Sequence, residues 1–198
     1  LYITTNDGAP RYRVYKTSAT KLDRAAWKEI IPQSDATLQN VSIVGGQLVA
    51  TYLRNAASEV EVRTLDGKPV RKIALPPLGT SGGVAGLPDE DTGYFGYTSF
   101  TEPSVIYKTS IKTGTVDEWA RIKLPVDTTQ FETQQVFYPS KDGTVVRMFV
   151  LSPTGEPDRP RPTILYGYGG FGISMTPGFS AVALAWVEAG GVYAVACI

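Results

Sequence analysis

Histidine is missing altogether from the 198 residues. A Ser-His-Asp triad needs an imidazole to take the serine proton, so hydrolysis of that type would draw its base from elsewhere, and the sequence reads as a fragment. Cysteine is nearly as scarce. The single Cys197 excludes an internal disulfide and a cysteine-built zinc cluster. Its place in the apolar stretch 191–198 marks it as a small core residue rather than a nucleophile. Net charge is absent too: 19 Lys plus Arg stand against 19 Asp plus Glu, leaving no field to attract nucleic acid or an anionic membrane. No run approaches the roughly 18 apolar residues of a membrane span. No metal-ligand pattern and no cofactor motif survives inspection, so none of either is expected.

What is present is a chain rich enough in apolar residues to fill a core, 42% by composition with 11% aromatic. The first 125 residues repeat. VYKTS at 14–18 returns as IYKTS at 106–110, with VEVRT at 60–64 midway, a period of about 46 residues. The runs EIIP, IALP and IKLP close on Pro32, Pro76 and Pro125. Short strands and turns at that period read as propeller blades of about four strands each. Strands are expected over 1–4, 12–17, 38–44, 47–53, 59–64, 93–99 and 105–110, with turns at Asn6-Asp7-Gly8, Gly45-Gly46 and 88–91. Closure of a propeller takes roughly four blades or more, and about three fit here, so further blades are expected before Leu1. Arg54, Glu59, Glu61 and Arg63 read as solvated strand faces.

The pattern changes near residues 125–131. Residues 134–139 and 144–152 are strand-like and joined by Ser140-Lys141-Asp142-Gly143, whose Asp-Gly pair signals a hairpin. Pro153, Gly155, Pro157 and Pro160 make a surface connection. Thr163, Ile164 and Leu165 then read as a short buried strand. It empties into Gly167, Tyr168, Gly169, Gly170, Phe171 and Gly172, where missing Cβ atoms free the backbone. Ser180 is a candidate N-cap for a helix over 181–189 whose apolar side is Val182, Leu184, Ala185 and Trp186. The stretch 192–198 reads as a fully buried parallel strand. Strand, strand, strand, loop, helix, strand is the opening order of an α/β-hydrolase, in which the loop after the third strand contributes to the oxyanion hole.

Three readings meet at the glycine loop. Gly167, Gly169 and Gly172 spell a GxGxxG sequence after a strand. Pro177 and Gly178 break the helix start that pyrophosphate binding needs, and no acidic residue closes the next strand. A plain turn with aromatic packing is the second reading. An active-site loop is the third, and Ser152, Ser174 and Ser180 lie in no G-x-S-x-G context that would make one of them its nucleophile.

LYGYGGF at 165–171, ISMTP at 173–177 and VFYPSKDGT at 136–144 together resemble the prolyl oligopeptidase family of serine peptidases, and the similarity runs over essentially the whole chain. The resemblance implies a mixed fold: a partial, all-β propeller over residues 1–127, then the incomplete opening of an α/β-hydrolase domain over 128–198. It implies a serine-type endopeptidase acting on short proline-containing peptides after proline, with nucleophile, acid and base in the remainder of the same polypeptide. Its setting would be cytoplasmic, or else periplasmic. Tyr168 would be the oxyanion-hole donor, since a phenol is a neutral donor at working pH. Phe171 would line the pocket for the proline ring, with core packing as its alternative. Tyr166 is assigned to structure. A hydrolase of other specificity, such as a basic-residue oligopeptidase or an esterase, and a non-catalytic propeller scaffold are the alternatives.

Overall fold

The computed structural model describes residues 1–155 and 159–198; of the expected surface connection, Pro157 lies outside the described residues. The chain is nearly all β, with four sheets and, among the described residues, one α-helix. Strands β1 (Tyr2–Thr5), β2 (Arg13–Lys16) and β3 (Lys28–Ile31) form the first sheet. β4 (Thr37–Val44), β5 (Gln47–Arg54), β6 (Ala57–Arg63) and β7 (Pro69–Ile73) form the second, and β8 (Ala85–Gly86), β9 (Thr92–Tyr97), β10 (Val105–Ser110) and β11 (Val116–Arg121) the third. All three are antiparallel meanders in chain order. The repeat has a structural cause: VYKTS, VEVRT and IYKTS begin in β2, β6 and β10, each the next-to-last strand of its sheet.

Turn chemistry sets these registers. Gly45 and Gly46, both at positive φ (58° and 70°), close the β4–β5 hairpin, the backbone of a type I′ turn. The β5–β6 hairpin uses Asn55 and Ala56 at φ 50° and 61°. Asparagine tolerates that region, whereas alanine there carries strain.

The sheets stack through apolar clusters. β5 is buried along most of its length, and its two faces serve different neighbours. Leu48, Ala50 and Tyr52 pack with Val14, Ile30 and Ile31 of the first sheet. Val49 joins Val60, Val62, Phe95 and Ile111 toward the third. Burial on both sides is why Leu48 to Tyr52 reads apolar with little alternation. Charges lie at the margins, but Glu61 and Arg63 are more enclosed than solvated strand faces: they pair at 2.6 Å with side chains 20% and 17% exposed.

The fourth sheet is different. β12 (Phe131–Pro139) and β13 (Val145–Pro153) form a hairpin, closed at Asp142-Gly143 with Gly143 at φ 84°. β14 (Thr163–Gly167) leads through the glycine loop to helix α1 (Ala181–Glu188) and then β15 (Val192–Cys197). The order is β12-β13-β15-β14, with β15 antiparallel to β13 and parallel to β14. Ser180 caps α1, its Oγ accepting from Ala183 N at 3.2 Å.

Two expectations are corrected here. β14 is exposed throughout, because it is an edge strand bonded only to β15 and neither of its faces is covered. The helix buries Ala183, Leu184 and Val187, while Val182 is 80% exposed. The three buried positions, at i, i+1 and i+4, share one side of the helix, and Val182 and the exposed Ala185 fall outside it. β7, β8 and β11 lie outside the strand ranges expected from the sequence; Ala85-Gly86 is too short to alternate.

Gly67, at φ 84°, sits in the β6–β7 turn where an added Cβ would overlap the Ile30 carbonyl of the first sheet. Gly46, at φ 70°, has nothing within 4 Å. Gly46→Ala is therefore expected to cost only the left-handed penalty of about 1–2 kcal/mol. Gly67→Ala should lose roughly 1–3 kcal/mol more through overpacking. Urea denaturation of both variants checks this; equal losses would contradict the close contact between the sheets.

Candidate active-site loop

The glycine loop is held at both ends and bare in the middle. At its start, β14 pairs with β15 through Gly167 opposite Ala196. A Cβ on Gly169, at φ 62°, would lie 3.2 Å from Ile198 Cγ1, so the small residue lets the chain cross the end of β15 closely. One on Gly170 would lie 3.3 Å from Tyr168 Cε1, which places the Tyr168 ring back over the loop. Ile173 N donates to Gly170 O at 3.0 Å. Phe171 occupies this turn at φ 52° and is 95% exposed; a bulky residue held left-handed and unpacked is strained twice over. Tyr168 is 47% exposed and Tyr166 44%.

The far end of the loop is tied to the third sheet's side of the chain. Thr80 Oγ1 donates to Pro177 O at 2.7 Å, and Phe179 N donates to Thr98 Oγ1 at 3.3 Å. Thr80 and Thr98 also exchange both backbone hydrogen bonds, at 2.8 and 3.0 Å. A rigid two-stranded bridge thus anchors the segment between loop and helix. Beside it, the Asn55 turn reaches the fourth sheet: Gln135 Nε2 donates to Asn55 O at 2.5 Å, and Arg147 Nε to Asn55 Oδ1 at 2.9 Å.

Between these anchors the loop borders two cavities. One, of about 390 Å³, is lined by Gly169 and Gly170 of the loop, by Arg147 and Cys197, which pair across β13 and β15, and by Arg11 and Asn55. The second, of about 790 Å³, runs between Gly172 to Ser174 and the inner edges of the sheets at Thr4, Leu38 and Thr80. Neither Tyr168 nor Phe171 forms part of these two walls; the loop glycines do. The expected pair of site residues is thus accessible on a loop that borders two half-open pockets. Ser174 lines both cavities but has no histidine to activate it, the chain having none. Among the described residues, no group of three His, Cys, Asp or Glu could hold a metal ion, and no helix is long and apolar enough to cross a membrane.

Arg11, Asn55 and Arg147 escape a reading of the sequence because they converge from distant segments; Arg147 and Asn55 are 92 residues apart. The only local signal was the Asn55 position between two strand runs.

Known proteins resemble this chain over nearly its whole length. The profile of the prolyl oligopeptidase N-terminal β-propeller domain matches residues 1–121. The chain is 37% identical over 196 residues to a prolyl endopeptidase of Elizabethkingia miricola, covering 98% of this chain and 28% of that protein. It is 32% identical to prolyl oligopeptidase A of Galerina marginata, covering 97% and 26%. Among solved structures, one from a mechanistic study of two prolyl endopeptidases superposes with a TM-score of 0.93 at 50% identity, covering 99% of this chain and 29% of that one. Prolyl oligopeptidase B of Galerina marginata, bound to a 25mer macrocyclization substrate, superposes with a TM-score of 0.88 at 29% identity, covering 100% and 28%. The chain therefore spans under a third of the length of these relatives.

Cys197, half-buried on the wall of the smaller cavity, has a thiol pushed above the usual range by burial, partly offset by the charge of Arg147. Less thiolate is then present at neutral pH than on a free cysteine. Alkylation by iodoacetamide should be slow at pH 7 and still accelerating beyond about pH 9. A rate that levels off below pH 8 would contradict the burial effect.

Proposed function

The chain belongs to the prolyl oligopeptidase family, and on that premise we propose that it is part of a serine-type endopeptidase that cuts short peptides on the carboxyl side of proline. In this reading residues 1–127 are the last blades of a propeller, and residues 128–198 open an α/β-hydrolase domain. The remainder of the same polypeptide supplies the nucleophile, the acid and the base, and covers β14. The observation that supports it best is the tethered glycine loop: a half-exposed phenol beside bare backbone, between a mixed sheet and the cavities that face the propeller strands.

The chemistry is acyl transfer. A serine oxygen bonds to the carbonyl carbon of the proline residue while histidine takes its proton, and the carbonyl oxygen becomes anionic. The Tyr168 hydroxyl donates a hydrogen bond to that oxygen, a contact stronger in the transition state than in the ground state. The C–N bond then breaks, the leaving amine takes the proton from histidine, and water releases the acyl group by the same steps in reverse. Phe171 offers a flat apolar wall to the proline ring, a role that its left-handed backbone and exposed ring support.

In the complete protein, Tyr168→Phe is expected to lower kcat on a proline peptide about 10²- to 10³-fold with the fold intact. An unchanged kcat would remove Tyr168 from the mechanism. Paired substrates with proline or arginine before the scissile bond separate this reading from a basic-residue oligopeptidase.

A further inference from the structure

The smaller cavity carries more positive than negative charge, a feature the acyl-transfer chemistry leaves without a purpose. Its charged wall residues are Arg11, Asp35 and Arg147. Asp35 is already taken: Arg54, which is not on the wall, hydrogen-bonds it and holds its carboxyl below the ordinary range. Arg147 spends Nε on Asn55 Oδ1 at 2.9 Å and stands 5.9 Å from the Phe137 ring. Its remaining N–H groups have no acceptor among the described residues. Arg11 is tied down only by its backbone, its N–H donating to Gln33 Oε1 at 2.8 Å and its carbonyl accepting from Leu38 N at 3.0 Å. Its guanidinium makes no hydrogen bond or ion pair among the described residues, though its charge reaches Asp35 and adds to the effect of Arg54 on that carboxyl.

A guanidinium holds five donors in a planar fork that matches the two oxygens of a carboxylate. Two forks with unspent donors, Arg11 exposed and Arg147 partly buried, therefore line one half-open pocket together with Gly169 and Gly170, the residues that directly follow Tyr168. We propose that this cavity binds a carboxylate of the peptide substrate, with Arg11 and Arg147 as specificity-determining residues; the site rests on the peptidase reading above. A C-terminal carboxylate and an Asp or Glu side chain share this chemistry.

The test uses the complete polypeptide and one proline-containing hexapeptide in three forms: free acid, C-terminal amide, and amide with glutamate as the last residue. kcat/KM is measured for each form, and Kd by calorimetry with the same peptides carrying a reduced, uncleavable bond after proline. The wild-type protein should favour the acid over the plain amide by about tenfold, the scale of one charge-assisted hydrogen bond. That ratio should fall toward one in Arg11→Met, whose fold loses no side-chain bond. Recovery of the preference by the glutamate form identifies a side-chain carboxylate as an accepted source. Equal handling of all three forms by the wild type, or a preference unmoved by both Arg11→Met and Arg147→Met, overturns the proposal. Binding that favours the acid without any cleavage after proline would retain the carboxylate site and overturn the peptidase reading. Cleavage after proline with no acid preference would do the reverse.

Discussion

Phe100 and Phe149 meet with ring centroids 5.4 Å apart, and around that contact the third sheet and the mixed sheet share one core. Phe131, Leu151, Leu184, Val187 and Val195 close over it, with Ala56, Leu78, Met175 and Phe179 packed at its edge. Such an aromatic pair adds about 0.5–1.5 kcal/mol beyond the apolar area it buries. Its larger effect is geometric. The two kinds of sheet cannot shift independently while this cluster is filled, so the loop that begins on one and is tethered to the other keeps its place.

In the proposed peptidase reading, the loop is what that constraint serves. Its glycines let the chain pass close to Ile198, and the threonine bridge at Thr80 and Thr98 fixes its exit. Between the two anchors Tyr168 and Phe171 are left accessible, and the strain at Phe171 is borne by the packing on either side. Preorganisation of this kind is the main currency of transition-state stabilisation, because a donor already in place needs no reorganisation when charge develops.

Much of this architecture is legible in local pattern. Most propeller strands alternate, though β5 is buried on both faces, and the repeat falls on β2, β6 and β10 because equivalent strands meet equivalent neighbours. Asp142-Gly143 marks its hairpin, and the LYGYGGF segment marks the loop. What is not legible is set by distance along the chain. An apolar run cannot say whether its faces are covered, so β14 reads as buried though it is an open edge. Helix periodicity over 181–188 admits two neighbouring faces, and packing against Phe149 and Leu151 selects the one with Val187. Ala85-Gly86 is too short for any period. Arg11, Asn55 and Arg147 come together only when the sheets stack, so the charged side of the cavity has no counterpart in local sequence.

The central claim is that the Tyr168 hydroxyl stands where a peptide carbonyl turns anionic. A crystal structure of the complete polypeptide with a peptidyl-prolinal aldehyde trapped as its hemiacetal tests this most directly. The account predicts Tyr168 Oη at about 2.7–3.1 Å from the hemiacetal oxygen, with Phe171 against the proline ring. A hemiacetal oxygen bonded by other donors, with the Tyr168 hydroxyl turned away from it, would contradict it.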